Sequence, residues 1–345
     1  MLNTHLAVET FAPCQDVDII SGGVESLAIA ALLSARGRSV GFAREGFSMP
    51  EQLVIRGEST NYRAGRLQTG KQDAADPLYS RRPDIMVLTA RAVDYPQALD
   101  MVAERLAPGQ TVFITDAPMG TAFELSTKLF KLRKRMAVNI VEMGPLFDEC
   151  YFEGRSLEII GLKEQVSICG RSVNETRTCM PFGRQLFSGL VPASNVLERG
   201  LNDTASLLKT ALRMFLIHRS PAAKQVTPIT ELNKAEDEIL SALESEIQTL
   251  AKIFNVTVPE RTELSFAFSD SLERERQSMA AGVCENFVML AELAAKAYHP
   301  VPTIDSIIDE ASKAAARDLR SEGRKLSDLG LSGMDIREII EFINS

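Results

Sequence analysis

Apolar and polar positions follow two regimes along this chain. In the first half, short apolar runs alternate with longer segments of helical spacing. Residues 17–20 form the first run and enter a glycine pair, Gly22 and Gly23. An amphipathic segment then extends to about Arg36, and a second strand-like run covers 39–43. Residues 84–89 (DIMVLT), 111–115 and 139–144 repeat the strand pattern, with helical spacing over 95–107 and 121–135 between them. Pro108-Gly109 stops the first of these helices, and a basic last turn suits the dipole of the second. Residues 158–160 and 165–169 read as later, shorter strands. Such alternation predicts a mostly parallel sheet with helices on both faces.

After about Pro181 the pattern becomes helical. Residues 195–219 read as one long helix whose early part Gly200 weakens. Residues 233–254 and 271–298 give two more, Pro300 and Pro302 end the last, and 303–319 forms a fourth. The polar stretch 47–79 reads as an excursion around a strand near 53–55. The expected fold class is α/β: a doubly wound Rossmann-type sheet in residues 1–180, followed by an all-helical domain in 181–345.

Composition narrows the function classes. A chain of 345 residues can bury a substantial core and accommodates two domains. A net charge of −8 argues against nucleic-acid or anionic-membrane partners. The five cysteines form no C-x-x-C pair and the three histidines are widely spaced, so no metal site is expected. Reduced thiols, the lack of a signal-peptide pattern and the lack of an apolar run of membrane-spanning length give a cytoplasmic expectation.

The first turn carries the clearest chemistry. Ser21, Gly23 and Ser26 occupy the three positions that G-x-G-x-x-G fills with glycine. Small side chains at Ser21, Gly22 and Gly23 let backbone approach a pyrophosphate, and the amides of Val24, Glu25 and Ser26 would open a helix toward it. Glu25 is the uncomfortable member of this set. After the second strand, Arg44 precedes Glu45, which favours NADP over NAD as the cofactor. Thr89 and Ala90 end the strand at 84–89, at the sheet edge where cofactors bind.

Several segments in order resemble the opine (octopine and nopaline) dehydrogenase family: IISGGVESLAIAALLSARGRSV, VFITDAPMGTAFEL, VEMGPLFDECYFEGRSLEIIGLKEQVSICG, LESEIQTLAKIFNV and VPTIDSIIDEASKAAARDLRSEGRKLSDLGLSGM. The resemblance spans most of the chain and implies a divergent member. It implies a Rossmann domain, a helical domain on the 6-phosphogluconate-dehydrogenase-like plan, and a site in the cleft between them. It also implies reductive condensation of an amino acid with a 2-keto acid by NAD(P)H. By the same resemblance Glu142, closing a strand on the cleft side, meets the nicotinamide half or a ribose, with a helix- or loop-capping role as the alternative.

The chain departs from the family at its catalytic helix. Lys209 falls where the family has a proton-donating histidine, Ala205 falls where an asparagine is common, and residues 276–282 lack the family's acids. A lysine can donate a proton if burial lowers its pKa, and it can polarise a carbonyl. Asn202 lies seven residues earlier and would share its helical face, with Asp203 and Ser206 close by. This usage resembles ketopantoate reductases and β-hydroxyacid dehydrogenases, which gives a keto-acid reductase as the alternative. Arg213, one turn on, suits a substrate carboxylate. His218 is either a displaced catalytic histidine or a helix-end residue. A third reading is an inactive nucleotide- or metabolite-binding protein. Small-molecule partners are expected, and the apolar helices are compatible with a homodimer.

Overall fold

The computed structural model describes residues 17–20, 23–36, 38, 40–42, 52–56, 84–89, 95–153, 156–219, 232–258 and 271–345. Ser21, Gly22, Arg44 and Ala90 lie outside the described residues. The first part runs β1 (Val17–Ile20), α1 (Val24–Ala35), β2 (Val40–Phe42), β3 (Gln52–Arg56), β4 (Ile85–Leu88), α2 (Tyr95–Arg105), β5 (Thr111–Ile114), α3 (Thr121–Lys131) and β6 (Asn139–Met143). It continues through β7 (Glu149–Glu153), β8 (Ser156–Ile160), β9 (Val166–Gly170), α4 (Val173–Leu186) and β10 (Leu190–Pro192).

The main sheet has the order β10-β9-β6-β5-β4-β1-β2. The strands from β2 through β6 in that order are parallel, and β9 joins β6 antiparallel. Every residue of β4 and β5 is buried, which is why these runs read as continuously apolar. Pro181, where the sequence changes character, lies inside α4, and β10 follows it in the same sheet, so a division at residue 180 would cut that helix.

A second sheet of order β3-β8-β7 covers the outer side of α1. Ile29, Ala30 and Leu33 of α1 pack toward the main sheet, while Leu27, Ala28 and Ala31 pack against Ile55, Leu157 and Ile159. The helix expected to be amphipathic is therefore apolar on both sides, because two sheets sandwich it.

The helical part comprises α5 (Val196–Asn202), α6 (Thr204–Arg219), α7 (Lys234–Ile253), α8 (Leu272–Gly282), a π-helical turn (Val283–Phe287), α9 (Val288–Lys296), α10 (Pro302–Ala315), α11 (Leu319–Glu322) and α12 (Ile336–Ile343). The single helix expected over 195–219 is two helices. Asn195 caps α5 through Leu197 and Glu198, and Asp203 interrupts the run, its carboxylate accepting from the hydroxyl of Ser206 at 2.8 Å. A last helix, α12, was not anticipated. Residues Leu272–Lys296 form a 25-residue helical run long and apolar enough, by length and composition, to cross a membrane, contrary to the sequence expectation. Much of it is buried in the helical core, where Met279, Val283, Phe287 and Leu290 pack against α6 and α10 residues.

Candidate active site

The order of the main sheet reverses at β1, which has β2 on one side and β4 on the other. In doubly wound sheets ligands bind at the carboxyl ends of such strands. A cavity of about 190 Å³ opens there, walled by both sheets, α6, the start of α1 and the segment between β6 and β7. The main sheet contributes Thr89, Thr115 and Asp116, the small sheet contributes Glu149 and Cys150, and α6 contributes Lys209 and Arg213. A larger groove of about 870 Å³ runs beside α9 and the segment before α12, but no sequence-predicted site residue lines it.

The nucleotide side keeps part of the expected design. Gly23 precedes α1 with extended backbone and no side-chain cap, so first-turn amides remain available to an anion. Ser26 is buried, and its hydroxyl donates to the Gly23 carbonyl at 2.6 Å, which shows how a serine fits where glycine is usual. Val24 packs toward the small sheet. Glu25 lines the cavity, and its carboxylate fills the space a Cβ on Gly23 would take. That space is where a bound pyrophosphate approaches glycine. A nicotinamide cofactor therefore fits this edge once Glu25 turns aside. Thr89 is buried at the cavity wall, its amide donating to Ile20 at 3.3 Å.

The helical side brings two of the expected residues together. Lys209 Nζ donates to Glu149 Oε1 at 2.5 Å, and Arg213 Nε donates to Glu275 Oε2 at 2.9 Å. Both cations reach the cavity at successive turns of α6. Asn202 does not share their helix, since the break at Asp203 separates it from Lys209, and its buried Oδ1 has no hydrogen-bond partner among the described residues. Asp203 caps α6 rather than lining the cavity. His218 sits half-exposed at the end of α6, 3.9 Å from Glu310, and the structure does not bring it to the cavity.

Glu142 has the capping role, not an open cofactor-facing one. It is fully buried on β6, and its oxygens accept from the amides of Gly120 (3.2 Å) and Ala122 (2.9 Å) at the start of α3. It also accepts from Arg199 Nε at 3.0 Å and Nη2 at 2.8 Å. It thus ties the sheet, α3 and α5 together.

Asp116 is the site residue the sequence reading missed. It lies two residues past the end of β5 with φ 49°, a left-handed conformation that aspartate tolerates better than most residues. Its side chain is exposed to solvent on the cavity side, while the elements around it crowd its backbone and limit its hydration. Desolvation by those surrounding elements, with the Asp203 carboxylate next in effect, pushes its pKa up to about 6; Glu25 adds to the rise, while Lys209 and Arg199 oppose it. The available signal was its position after the apolar run TVFIT, at the carboxyl end of a parallel strand. Cys150 also lines the cavity, but burial and the acids Glu25 and Glu149 push its thiol well above the usual range, so it is no nucleophile.

No protein-family model matches the chain, and no curated protein matches it. Solved structures share its fold. An octopine dehydrogenase carrying NADH and L-arginine superposes with a TM-score of 0.68 at 15% identity, over 94% of this chain and 97% of that one. A yersinopine dehydrogenase with NADP+ bound gives 0.65 at 12% identity, over 96% and 98%. A 2-dehydropantoate 2-reductase from Methylococcus capsulatus gives 0.61 at 12% identity, over 90% and 98%. The chain therefore has the Rossmann-plus-helical-domain fold shared by opine dehydrogenases and ketopantoate reductases.

Proposed function

We propose that this chain is an NAD(P)H-dependent oxidoreductase that reduces an imine or carbonyl of a small carboxylate-bearing substrate. The observation that carries this reading is the placement of Lys209 and Arg213 across the switch-point cavity from the carboxyl ends of β4 and β5. Gly23, Val24, Ser26 and Thr89 would hold the cofactor on the sheet side, with Ser21, Gly22 and Ala90 extending that edge by their sequence position. The dihydronicotinamide ring supplies hydride when bound. Lys209 polarises the substrate oxygen or nitrogen, and Arg213 orients a substrate carboxylate. The order Arg44-Glu45 favours NADP.

The similar structures carry L-arginine, agmatine or pyruvate, which supports an amino acid and a 2-keto acid as the substrate pair. A second reading, a keto-acid reductase without an amine partner, is favoured by the lysine in the cavity where the opine family has histidine. The reduced cysteines favour a cytoplasmic enzyme, and we add a homodimer as the assembly to be measured.

Calorimetry or NADPH emission tests cofactor binding, because the chain has no Trp for quenching. Absence of binding by both NADH and NADPH at millimolar concentration rejects the oxidoreductase. If cofactor binds, keto acids screened with and without amino acids separate the two reactions. Full turnover by Lys209→Ala would remove that residue from catalysis.

A further inference from the structure

Three elements converge on one carboxylate that none of the sequence arguments used. Asp116 stands at the carboxyl end of β5, beside Thr89 and Thr115 and opposite Lys209. The two cations that line this cavity among the described residues are already engaged, Lys209 by Glu149 and Arg213 by Glu275. No hydrogen bond or ion pair of the Asp116 side chain occurs among the described residues, and its backbone holds a conformation uncommon for residues other than glycine. Backbone outliers of this kind cluster at functional sites because the surrounding structure must over-determine them.

Resting on the oxidoreductase reading above, we infer that Asp116 is the acid–base residue of the reaction, carrying the proton that ends on the substrate's oxygen or nitrogen. The proton leaves an Asp116 carboxyl oxygen as the substrate carbon gains the hydride pair, for which a reduced nicotinamide is the donor. The C=O or C=N π bond breaks, an O–H or N–H bond forms, and the Asp116 carboxylate regains its proton from water in the open cleft. With an amine partner the same carboxylate first takes a proton from the ammonium, the freed nitrogen attacks the keto carbon, and the former carbonyl oxygen leaves as water to give the C=N that the hydride reduces.

The environment supports this role. The Asp116 carboxylate is solvent-exposed, yet desolvation by the elements around it comes first, and the carboxylates of Asp203 at the α5–α6 junction and Glu25 on α1 also favour the protonated form. Lys209 on α6 and Arg199 on α5 act in the opposite sense, and the resulting pKa of about 6 suits a group that gives and takes a proton near neutrality. Glu149 on β7 answers Lys209, and Glu285 in the π-helical turn feels the Asp116 charge in return.

Asp116→Asn is the variant of choice, since asparagine keeps both the shape and the left-handed backbone. Carboxyl-carbon NMR on aspartate-labelled protein should show one titration centred near pH 6 that disappears in Asp116→Asn. NADPH binding by the variant should stay within about threefold of wild type. Turnover of the best keto acid, with or without an amino acid, should fall by roughly 10²–10⁴-fold, the usual range for losing a general acid or base. Asp116→Glu should restore part of it. A titration below pH 5, or Asp116→Asn turnover within threefold of wild type, overturns the assignment. If wild type binds neither NADH nor NADPH, the oxidoreductase reading fails and this assignment fails with it. If binding is intact and only the Asp116 arm fails, the reading stands without this residue.

Discussion

Glu142 and Arg199 form an ion pair of 2.8 Å in which both side chains are almost wholly removed from solvent. Glu142 also accepts the first amides of α3, so one carboxylate joins the sheet, α3 and the helical part. Removing one partner of a buried pair leaves the other charge uncompensated, at a cost of about 3–5 kcal/mol. Glu142→Ala should lose stability on that scale in urea or guanidinium unfolding. Adding Arg199→Met should recover much of the loss, because the double variant buries no unpaired charge.

Glu25 occupies the approach to Gly23. Its carboxylate opposes the phosphates that the start of α1 otherwise attracts. Glu25→Gln should therefore bind NADH or NADPH more tightly, by on the order of tenfold or about 1.4 kcal/mol. Titration of cofactor emission at two ionic strengths checks this, and the gain should shrink as salt screens the charge. Unchanged affinity would mean that the side chain swings away at no cost.

Glu285 lies in the π-helical turn, and burial pushes its pKa up to about 8, with Asp116 and Glu124 adding to the rise and Arg324 opposing it. A carboxyl held protonated by the fold stabilises most at low pH. That contribution is lost as pH rises from the usual carboxylate range through about 8, because the unfolded chain releases its proton earlier. Glu285→Gln cannot titrate, so its melting temperature relative to wild type should improve progressively between pH 5 and 9. Parallel melting curves for the two proteins would refute this.

Gly120 opens α3 with φ 78°, and a Cβ there would meet the side chain of Leu329 from the C-terminal segment. Gly120→Ala combines backbone strain with displacement of a buried leucine. A loss of about 1–3 kcal/mol is expected by denaturant unfolding. Leu329→Ala in the same background should relieve only the steric share.

The alternation of strands and helices was legible because it rests on local periodicity: buried parallel strands read as short apolar runs, and helices as repeating faces. The small sheet was harder to see. Only β8 and part of β3 leave a readable signal, and α1 reads as amphipathic although a second apolar face meets β3 and β8, far away in sequence. The break between α5 and α6 turns on Asp203 bonding Ser206, a local competition that apolar spacing does not register. It removed the shared face on which Asn202 and Lys209 were paired.

The sequence by itself determined the fold class, the glycine-containing turn at α1 and the polar residues of α6, since each depends on neighbours within a few turns of chain. Tertiary structure decided what those residues do. Lys209 meets Glu149 across 60 positions and Glu142 meets Arg199 across 57. Asp116 gains its neighbours from α1, α5 and α6. Charge pairing, burial and proton affinity depend on distance in space, and only the packing of the two sheets against the helices sets those distances.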